Sequence, residues 1–320
     1  AIFYSLQIAA DITYNPICKN RAVDFCAFWS AGNLINDHGY KSVYDPALLL
    51  QYENEVHNQE TPSPSTLNFI PIVYLPIFLI PFQLISFLPL SISFYLWTIL
   101  NLSGLIIYLY FFYRKVAHCK PPTQLISLSI LSIPVFLNLF WGQANIFLLI
   151  CVGEYIRACL NGKPFKAGLW LGGLLLKPTL LILIIPVLLF KRAYKPLIGF
   201  SITAAITLLS SCIMVGFDGL EKWSNILISS SQGGSASNPG IMTNWRMIAY
   251  HLSSIAPPEI GWIVIVIGSV ATIFMMWLIV RQTHFSDPNR MGIALLGIFA
   301  ATGLVTWHVH FPTLILLIPL

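Results

Sequence analysis

The sequence has few charged residues, and this shortage excludes a water-soluble globular protein. Asp, Glu, Lys and Arg make up 9% of the 320 residues, whereas hydrophobic residues make up 57% and the mean hydropathy is +0.77. Most of such a chain needs lipid rather than water as its solvent. The sequence therefore predicts an all-α polytopic membrane protein, because helices satisfy their own backbone hydrogen bonds within a bilayer.

Motifs for nucleotide binding and hydrolysis are also absent, and the cysteines are scattered. No Walker A, GxGxxG, HExxH, CxxC or GxSxG pattern occurs, so neither ATP-driven pumping nor common hydrolase chemistry is indicated. No cofactor is predicted, and no spacing of ligands supports a divalent metal. Of the six cysteines, Cys18 and Cys26 could pair in an oxidising compartment, although buried free thiols are an equal alternative.

Long apolar runs dominate what is present. A helix needs about 20 residues to cross a bilayer core, and several runs approach this length. The predicted spans are Phe69–Leu90, Ser91–Phe112, Leu125–Phe140, Asn145–Leu160, Ala167–Phe190, Pro196–Phe217, Ile260–Val280 and Met291–Thr306. Apolar residues before Asp11 and after Phe311 suggest a single transmembrane domain, 1–320, cut within a helix at each end. The first stretch could instead be the tail of a signal peptide.

The charges predict which loops face the cytoplasm, because Lys and Arg accumulate in short cytoplasmic loops. Eleven of the 17 basic residues lie in four clusters: Arg114, Lys115 and Lys120; Arg157, Lys163 and Lys166; Lys191, Arg192 and Lys195; Arg281 and Arg290. Ten of the 12 acidic residues lie in the loops 11–68 and 218–259. We expect both loops outside the cytoplasm, and we attribute the net charge of +5 to membrane anchoring rather than nucleic-acid binding.

Two apolar stretches are predicted to be broken. Basic loops flank Ala167–Phe190 on both sides, so we favour two half-crossings that meet at Lys177-Pro178 and return to the same face. One continuous kinked helix with Lys177 in mid-membrane is the alternative. Phe69–Leu90 contains four prolines and is predicted to be re-entrant or interfacial.

Asp24 is the candidate catalytic residue of the first loop. It precedes the aromatic residues Phe28 and Trp29, as expected for an interfacial helix, and its carboxylate can act as a general base toward an acceptor hydroxyl. A capping or solvating role is the alternative. We expect Asp45-Pro46 to begin a turn or helix. The other acidic residues are interpreted as solvated charges: Asp37, Asp45, Glu53, Glu55 and Glu60.

Lys177 and Arg246 are the candidate phosphate ligands. A cation at membrane depth is costly and usually faces a cavity or a partner, and an ammonium group is a good point charge for phosphate. Arg246 lies in the second predicted outer loop. Snorkelling of Lys177 to the surface and simple anchoring by Arg246 are the alternatives.

His308, His310, Gln143 and Asn145 complete the candidates taken from the residues alone. The histidines, two positions apart, do not share a helix face, so they suit a loop that binds phosphate or sugar hydroxyls, or an interfacial anchor. Gln143 and Asn145 lie between two predicted helices. Their amides could bind sugar hydroxyls, or Asn145 could cap the following helix.

Taken in order, several short motifs resemble glycosyltransferase family 87. They are Asp24-Phe25-x-x-Phe28-Trp29-x-Ala31-Gly32, Gly39, Tyr44-Asp45-Pro46, Tyr74-x-Pro76, Gly142-Gln143-x-Asn145, Ala167-Gly168, Leu171-Gly172 and Lys177-Pro178. The resemblance implies a GT-C fold with a large first extracytoplasmic loop. It also implies a catalytic role for Asp24, a phosphate contact for Lys177, and a place near donor or acceptor for His308 and His310. Tyr44 is taken as substrate-binding on the same basis.

The resemblance further implies inverting transfer of a hexose, with mannose expected, from a polyprenyl-phosphate donor to a lipid or glycan acceptor. The active site is expected on the extracytoplasmic face of a bacterial plasma membrane. A transporter or flippase of a lipid-linked or small anionic substrate is the competing class. A transporter should spread polar residues along several helices, whereas this sequence concentrates them in one acidic outer loop. A third possibility is an envelope-polymer ligase or polymerase of another GT-C-like family. Such proteins usually depend on an arginine-rich outer loop, whereas the outer loop here is acidic.

Overall fold

A computed structural model of the protein describes residues 17–20, 22–60, 69–116, 123–231, 239–283 and 288–319. These residues form α-helices joined by short 3-10 helices, and they contain no β-strand beyond one isolated bridge. The α-helices are α1 Ile17–Asn20, α2 Val23–His38, α3 Pro46–Glu60, α4 Ile80–Ile85, α5 Leu90–Val116, α6 Thr123–Ile130, α7 Ile133–Trp141, α8 Asn145–Leu160, α9 Pro164–Gly172, α10 Ile184–Phe190, α11 Tyr194–Ser231, α12 Trp245–Leu252, α13 Pro258–Gln282 and α14 Pro288–Val305.

Among the described residues, α5, α11 and α13 are long and apolar enough to cross a membrane. Helix α11 is interrupted at Gly216, whose backbone is non-helical with φ 74° and ψ 178°. Helices α6 and α7 form a fourth candidate span, bent by 50° at their junction. Only 11% of the apolar part of α13 is buried inside the protein, so its large apolar side chains face outward, which is favourable in lipid and unfavourable in water. These helices confirm the prediction of an all-α polytopic membrane protein.

The chain packs into two compact units. The first unit comprises the described residues of 1–104, 136–144 and 207–237, and the second those of 105–135, 145–206 and 238–320. In the first unit, α2 packs against α3 and α4. The ring of Phe28 lies 4.8 Å from that of Phe82 and 5.4 Å from that of Tyr74, between centroids. Gly32 permits this approach, because a Cβ there would meet the carbonyl group of Phe82.

A disulfide bond between Cys18 and Cys26 joins the short helix α1 to α2. Of the two alternatives that the sequence leaves open for these cysteines, the structure has the pair. Closing a loop of this size stabilises a fold by about 2–3 kcal/mol through the entropy of the unfolded chain. The start of α2 is thereby fixed covalently as well as by packing.

The first loop also corrects one interpretation of its acidic residues. Glu53 on α3 is only 7% exposed, and its Oε2 accepts a hydrogen bond from the N–H of Ile70 at 3.2 Å. Burial raises the pKa of this carboxyl group to about 8, so the prediction of a solvated charge is wrong for Glu53. Asp45 instead accepts from the N–H groups of Ala47 and Leu48 at 3.0 and 3.3 Å, which confirms that it begins a helix.

The proline-rich stretch before α5 is broken, as its composition predicts. Residues 69–75 are non-helical, Pro76–Leu79 is a 3-10 helix, and α4 covers only Ile80–Ile85. Each proline removes a backbone donor and disfavours a helical residue before it. This stretch is therefore not a single membrane-crossing helix.

The second unit contains the predicted break at Lys177. Helix α9 tightens into the 3-10 helix Gly173–Leu176, Lys177 leaves helical geometry with φ −133° and ψ 78°, and a 3-10 helix Pro178–Leu181 leads towards α10. The residue before a proline is disfavoured in the helical region, and Lys177 obeys this rule. The alternative of one continuous helix is therefore wrong.

The stretch from α9 to α10 reverses direction at this break. Helices α9 and α11 lie side by side and run the same way: Gly199 packs on the carbonyl of Phe165, and further along Thr203 Oγ1 donates to the carbonyl of Leu169 at 3.1 Å. Because α9 and α11 begin at the same end of the second unit, the chain between them must return to that end. The stretch is thus a hairpin with Lys177 at its turn.

We predict that Gly168→Ala destabilises this helix pair. A Cβ at Gly168 would meet the carbonyl group of Pro196, which is backbone and cannot move aside, so we expect a cost of about 1–3 kcal/mol. The measurement is the thermal midpoint of the full-length protein in detergent. The control is Gly104→Ala, where no heavy atom lies within 4 Å of the new Cβ; equal midpoints for the two variants would contradict the packing of α9 on α11.

Candidate active site

Helix α2 places Asp24 in its first turn, where the helix dipole favours a carboxylate. Ala22 precedes the helix with a left-handed backbone, φ 52°, and its N–H donates to the carbonyl of Phe140 at 2.7 Å. This bond fixes the start of α2 against α7 within the first unit. Asp24 is consequently half-buried at a defined position.

Gln143 donates a hydrogen bond from Nε2 to Oδ2 of Asp24 at 2.8 Å. Asn138 holds the backbone of Gln143 on both sides, accepting its N–H at 2.9 Å and donating to its carbonyl at 3.2 Å. Gly142 has φ 71° and packs on Phe25, so a side chain there would be strained and would clash. This rigid loop presents an amide to the carboxylate and brings together two of the predicted site residues.

Tyr74 lies close enough to Asp24 for the carboxylate charge to act on its phenol group. Tyr44 is 1% exposed, and its hydroxyl donates to the carbonyl of Tyr74 at 2.7 Å. The structure therefore places Tyr44 behind Tyr74, where it holds that residue in position. We call Asp24, Tyr74, Asn138 and Gln143 the Asp24 cluster.

Lys177 lies in the second unit, with its ammonium group bonded at the turn of the hairpin. Its Nζ donates to Oγ1 of Thr313 at 2.8 Å and to Oδ1 of Asn145 at 3.4 Å. Thr313 is 4% exposed and Asn145 is 1% exposed. These bonds hold the ammonium group inside the unit, which argues against snorkelling. Asn145 is the first residue of α8, and its side-chain oxygen accepts a hydrogen bond from Lys177.

The predicted histidine segment is tied to the start of α12. Asn244 precedes this helix, and its Nδ2 donates to the carbonyl oxygens of Thr306 and Trp307 at 2.7 and 3.0 Å. Met242 and His310 form an antiparallel bridge. The first turn of α12 contains Arg246, and it therefore lies beside His308 and His310.

Several side chains at this junction have polar atoms directed at no protein partner. The guanidinium carbon of Arg246 lies 4.6 Å from the centroid of the Trp307 ring. Within the described residues, Arg246 Nη1, Trp307 Nε1 and His308 Nδ1 are buried without a hydrogen-bond partner. The rings of His308 and His310 are 4.7 Å apart. We call these four residues and Lys177 the cation cluster.

The electrostatics of the cation cluster favour a bound anion. Burial, followed by interaction with His310, Lys177 and Arg246, lowers the pKa of His308 to about 3. Burial and the charge of Lys177 lower the pKa of His310 to about 4, and burial also lowers the pKa of Arg246. The imidazoles are therefore neutral near pH 7, because burial and like charge disfavour their protonated forms. An anion would offset the charge of the remaining cations.

The described residues contain no group of three or more His, Cys, Asp or Glu side chains arranged around a possible metal position. The two clusters offer different chemistry. The Asp24 cluster holds a carboxylate, a candidate proton acceptor, against an amide donor. The cation cluster supplies N–H donors and positive charge, which suit a phosphate or another oxyanion.

A polytopic membrane protein with these two clusters has the groups expected of a membrane-bound group-transfer enzyme. The family model of glycosyltransferase family 87 matches residues 73–306, well over half of the chain, and the chain belongs to that family. The protein is therefore a membrane glycosyltransferase. Comparisons with curated proteins and with solved structures give no match. The matched range includes Lys177 and Arg246 but ends before His308 and begins after Asp24.

Sequence reasoning missed the partners that hold the predicted residues. Thr313 binds Lys177 from 136 positions away, and Asn138 holds Gln143 from within a predicted span. Neither residue belongs to a motif, so only the fold reveals its role. Trp307 precedes His308 in the sequence, and the structure places the guanidinium group of Arg246 over its ring.

We predict that His308 makes the folded protein sensitive to acid. Its pKa is about 3 in the folded state and about 6.5 when unfolded, so the unfolded chain binds more protons between these values. Stability is therefore full above pH 6.5 and falls as the pH drops. Between pH 7 and pH 5 the titration of His308 lowers the free energy of unfolding by about 1–2 kcal/mol.

The measurement is the thermal midpoint of the full-length protein at pH 7 and pH 5. His308→Gln removes the titrating group, so its midpoint should fall less than that of the unchanged protein. The control is His38→Gln, which replaces an exposed histidine at the end of α2. The same pH dependence in His308→Gln and in the unchanged protein would contradict the burial of this imidazole.

Proposed function

We propose that this glycosyltransferase moves a hexose, mannose, from a polyprenyl-phosphate donor to a lipid or glycan acceptor, with inversion at the sugar carbon. The observation that carries the proposal is the cation cluster. Buried N–H donors cost free energy when they lack a partner. Arg246 Nη1, Trp307 Nε1 and His308 Nδ1 are three such buried polar atoms, and the guanidinium carbon of Arg246 lies 4.6 Å from the centroid of the Trp307 ring. A phosphate supplies the acceptors and the negative charge that this cluster lacks.

The position of Arg246 supports the same ligand. It lies in the first turn of α12, where the helix dipole disfavours a cation and favours an anion. A phosphate held there interacts with both the guanidinium group and the helix start. As the bond to the sugar breaks, Lys177 and Arg246 would stabilise the charge that develops on the departing lipid phosphate.

Asp24 is the proposed general base. Its carboxylate would take the proton of the acceptor hydroxyl as that oxygen attacks the sugar carbon, and the sugar–phosphate bond breaks on the opposite side. The hydrogen bond from Gln143 to Oδ2 at 2.8 Å orients the carboxylate of Asp24. This contact supports Gln143 as a positioning residue.

The disulfide between Cys18 and Cys26 supports the extracytoplasmic side for this chemistry. Disulfides persist in oxidising compartments and are rare in the cytosol, and this one lies two residues beyond Asp24. We therefore propose that α2 faces the outside of a bacterial plasma membrane. A lipid-linked donor in that location requires no nucleotide-binding motif.

A transporter or flippase of a lipid-linked or small anionic substrate is the second candidate. The observation that favours it is the hairpin at Lys177, because discontinuous helices bind substrates near the midplane of many transporters. A held carboxylate such as Asp24 is not needed for translocation of an anion. Transfer chemistry therefore accounts for more of the described side chains.

We predict that Asp24→Asn abolishes most of the transfer. Loss of a general base lowers kcat on the order of 10²–10⁴-fold, and Asn keeps the size and the hydrogen bond from Gln143 after an amide flip. The measurement is transfer of radiolabelled mannose from polyprenyl-phosphate-mannose to a native lipid extract, in proteoliposomes with the full-length protein. The matched control is Asp45→Asn, which caps α3 and should retain full activity.

Retention of transfer by Asp24→Asn would remove Asp24 from the mechanism. Translocation of the labelled lipid without any transfer, in the unchanged protein, would favour the flippase instead.

We also predict that Lys177→Met weakens use of the donor. The hydrogen bonds of a charged group are worth about 1.5–3 kcal/mol, so kcat/KM for the lipid donor should fall roughly 10- to 100-fold. The control is Lys166→Met, an exposed lysine on α9. An unchanged kcat/KM in Lys177→Met, at matched folding, would exclude Lys177 as a phosphate ligand.

A further inference from the structure

The second unit contains a cavity of about 850 Å³ that is separate from the cation cluster. Three parts of the chain line it. They are Tyr155, Cys159, Gly162 and Pro164 from α8 to the start of α9; Leu188 and Lys191 to Pro196 from α10 to the start of α11; and Thr283 after α13 with Met291 in the first turn of α14. The hairpin leaves this end through α9 and returns to it through α10. The cavity is therefore at the base of the hairpin, and Lys177 is at its turn.

Three basic residues contribute to the cavity. Lys191, Arg192 and Lys195 line it, and among the lining residues that the structure describes none is acidic. The Nζ of Lys191 donates to the carbonyl of Thr283 at 3.1 Å, so this lysine closes the cavity against the end of α13. Arg192 and Lys195 are exposed, which leaves their charged groups available to a ligand.

Arg192 lies in the turn that closes the C-terminus of α10. Its φ is 52°, in the left-handed region, and the N–H groups of Arg192 and Ala193 donate to the carbonyls of Leu189 and Leu188 at 3.0 and 2.9 Å, as is common after the last residue of a helix. This turn places Arg192 in the lining of the cavity, and a glycine would adopt it as readily.

Other parts of the lining are apolar. Tyr155, Leu188, Pro196 and Met291 contribute to this apolar wall. A cationic edge joined to an apolar wall matches a molecule with a phosphate at one end and hydrocarbon at the other. Basic pockets between the ends of membrane helices bind anionic lipid headgroups for this reason.

We propose that this cavity binds an anionic phospholipid, with Arg192 and Lys195 contacting its headgroup phosphate and the apolar wall contacting its acyl chain. The bound lipid joins the base of the hairpin to the ends of α13 and α14. It is a structural lipid and not the sugar donor, so this proposal is independent of the proposed transfer reaction. A free phosphate is the other source of the same chemistry.

The test is native mass spectrometry of the full-length protein, titrated with phosphatidylglycerol or phosphatidylcholine. We expect preferential retention of phosphatidylglycerol. Each basic residue near a membrane surface contributes about fivefold to binding of anionic lipid, so the double variant Arg192→Gly and Lys195→Gln should bind it about 25-fold more weakly. Glycine keeps the left-handed turn at position 192.

The matched control is the double variant Arg114→Gln and Lys115→Gln, which removes two exposed charges at the end of α5. An equal loss in the control would overturn the site, because binding would then follow net charge alone. Displacement of the phosphatidylglycerol by millimolar inorganic phosphate would assign the cavity to a soluble anion and overturn the lipid. If the first double variant does not fold, Lys195→Gln alone should lose about fivefold, and an unchanged affinity would again overturn the proposal.

Discussion

The ammonium group of Lys177 imposes the arrangement of the second unit. A cation among apolar helices is costly unless polar groups surround it, and here Thr313 and Asn145 supply them from distant parts of the chain. The hairpin must turn at Lys177, α8 must begin at Asn145, and the 3-10 helix Phe311–Leu317 must reach the same point. Three otherwise separate elements are therefore positioned by one charge.

The same requirement produces the cation cluster. The segment that contains Thr313 also contains Trp307 and the two histidines. Asn244 connects this segment to the start of α12 by hydrogen bonds. Arg246 is thereby brought beside other positive and N–H-bearing groups, although like charges repel and buried donors without acceptors are costly. Such an arrangement is unfavourable by itself and becomes favourable when an oxyanion binds. We propose that the phosphate of a lipid-linked sugar is this anion.

Local chemistry in the sequence predicted much of this, and long-range contacts account for what it missed. Of the eight predicted spans, the apolar runs correctly indicated the long helices α5, α11 and α13 and the bent pair of α6 and α7. The Lys177-Pro178 pair with basic loops on both sides indicated the hairpin, because both rules concern neighbouring residues. The burial of Glu53 and the roles of Thr313 and Tyr44 could not be read in this way. The burial or role of each of these residues depends on contacts with residues far away in the sequence. Composition and local patterns do not predict such contacts.

The cation cluster is proposed to hold the phosphate of a lipid-linked sugar. The most direct measurement is a cryo-EM structure of the full-length protein with a polyprenyl-phosphate sugar bound. We expect the phosphate within hydrogen-bonding distance of Lys177 Nζ and Arg246 Nη1, with Trp307 or His308 donating to a further oxygen. A phosphate bound elsewhere, with these side chains arranged as they are without it, would contradict the account.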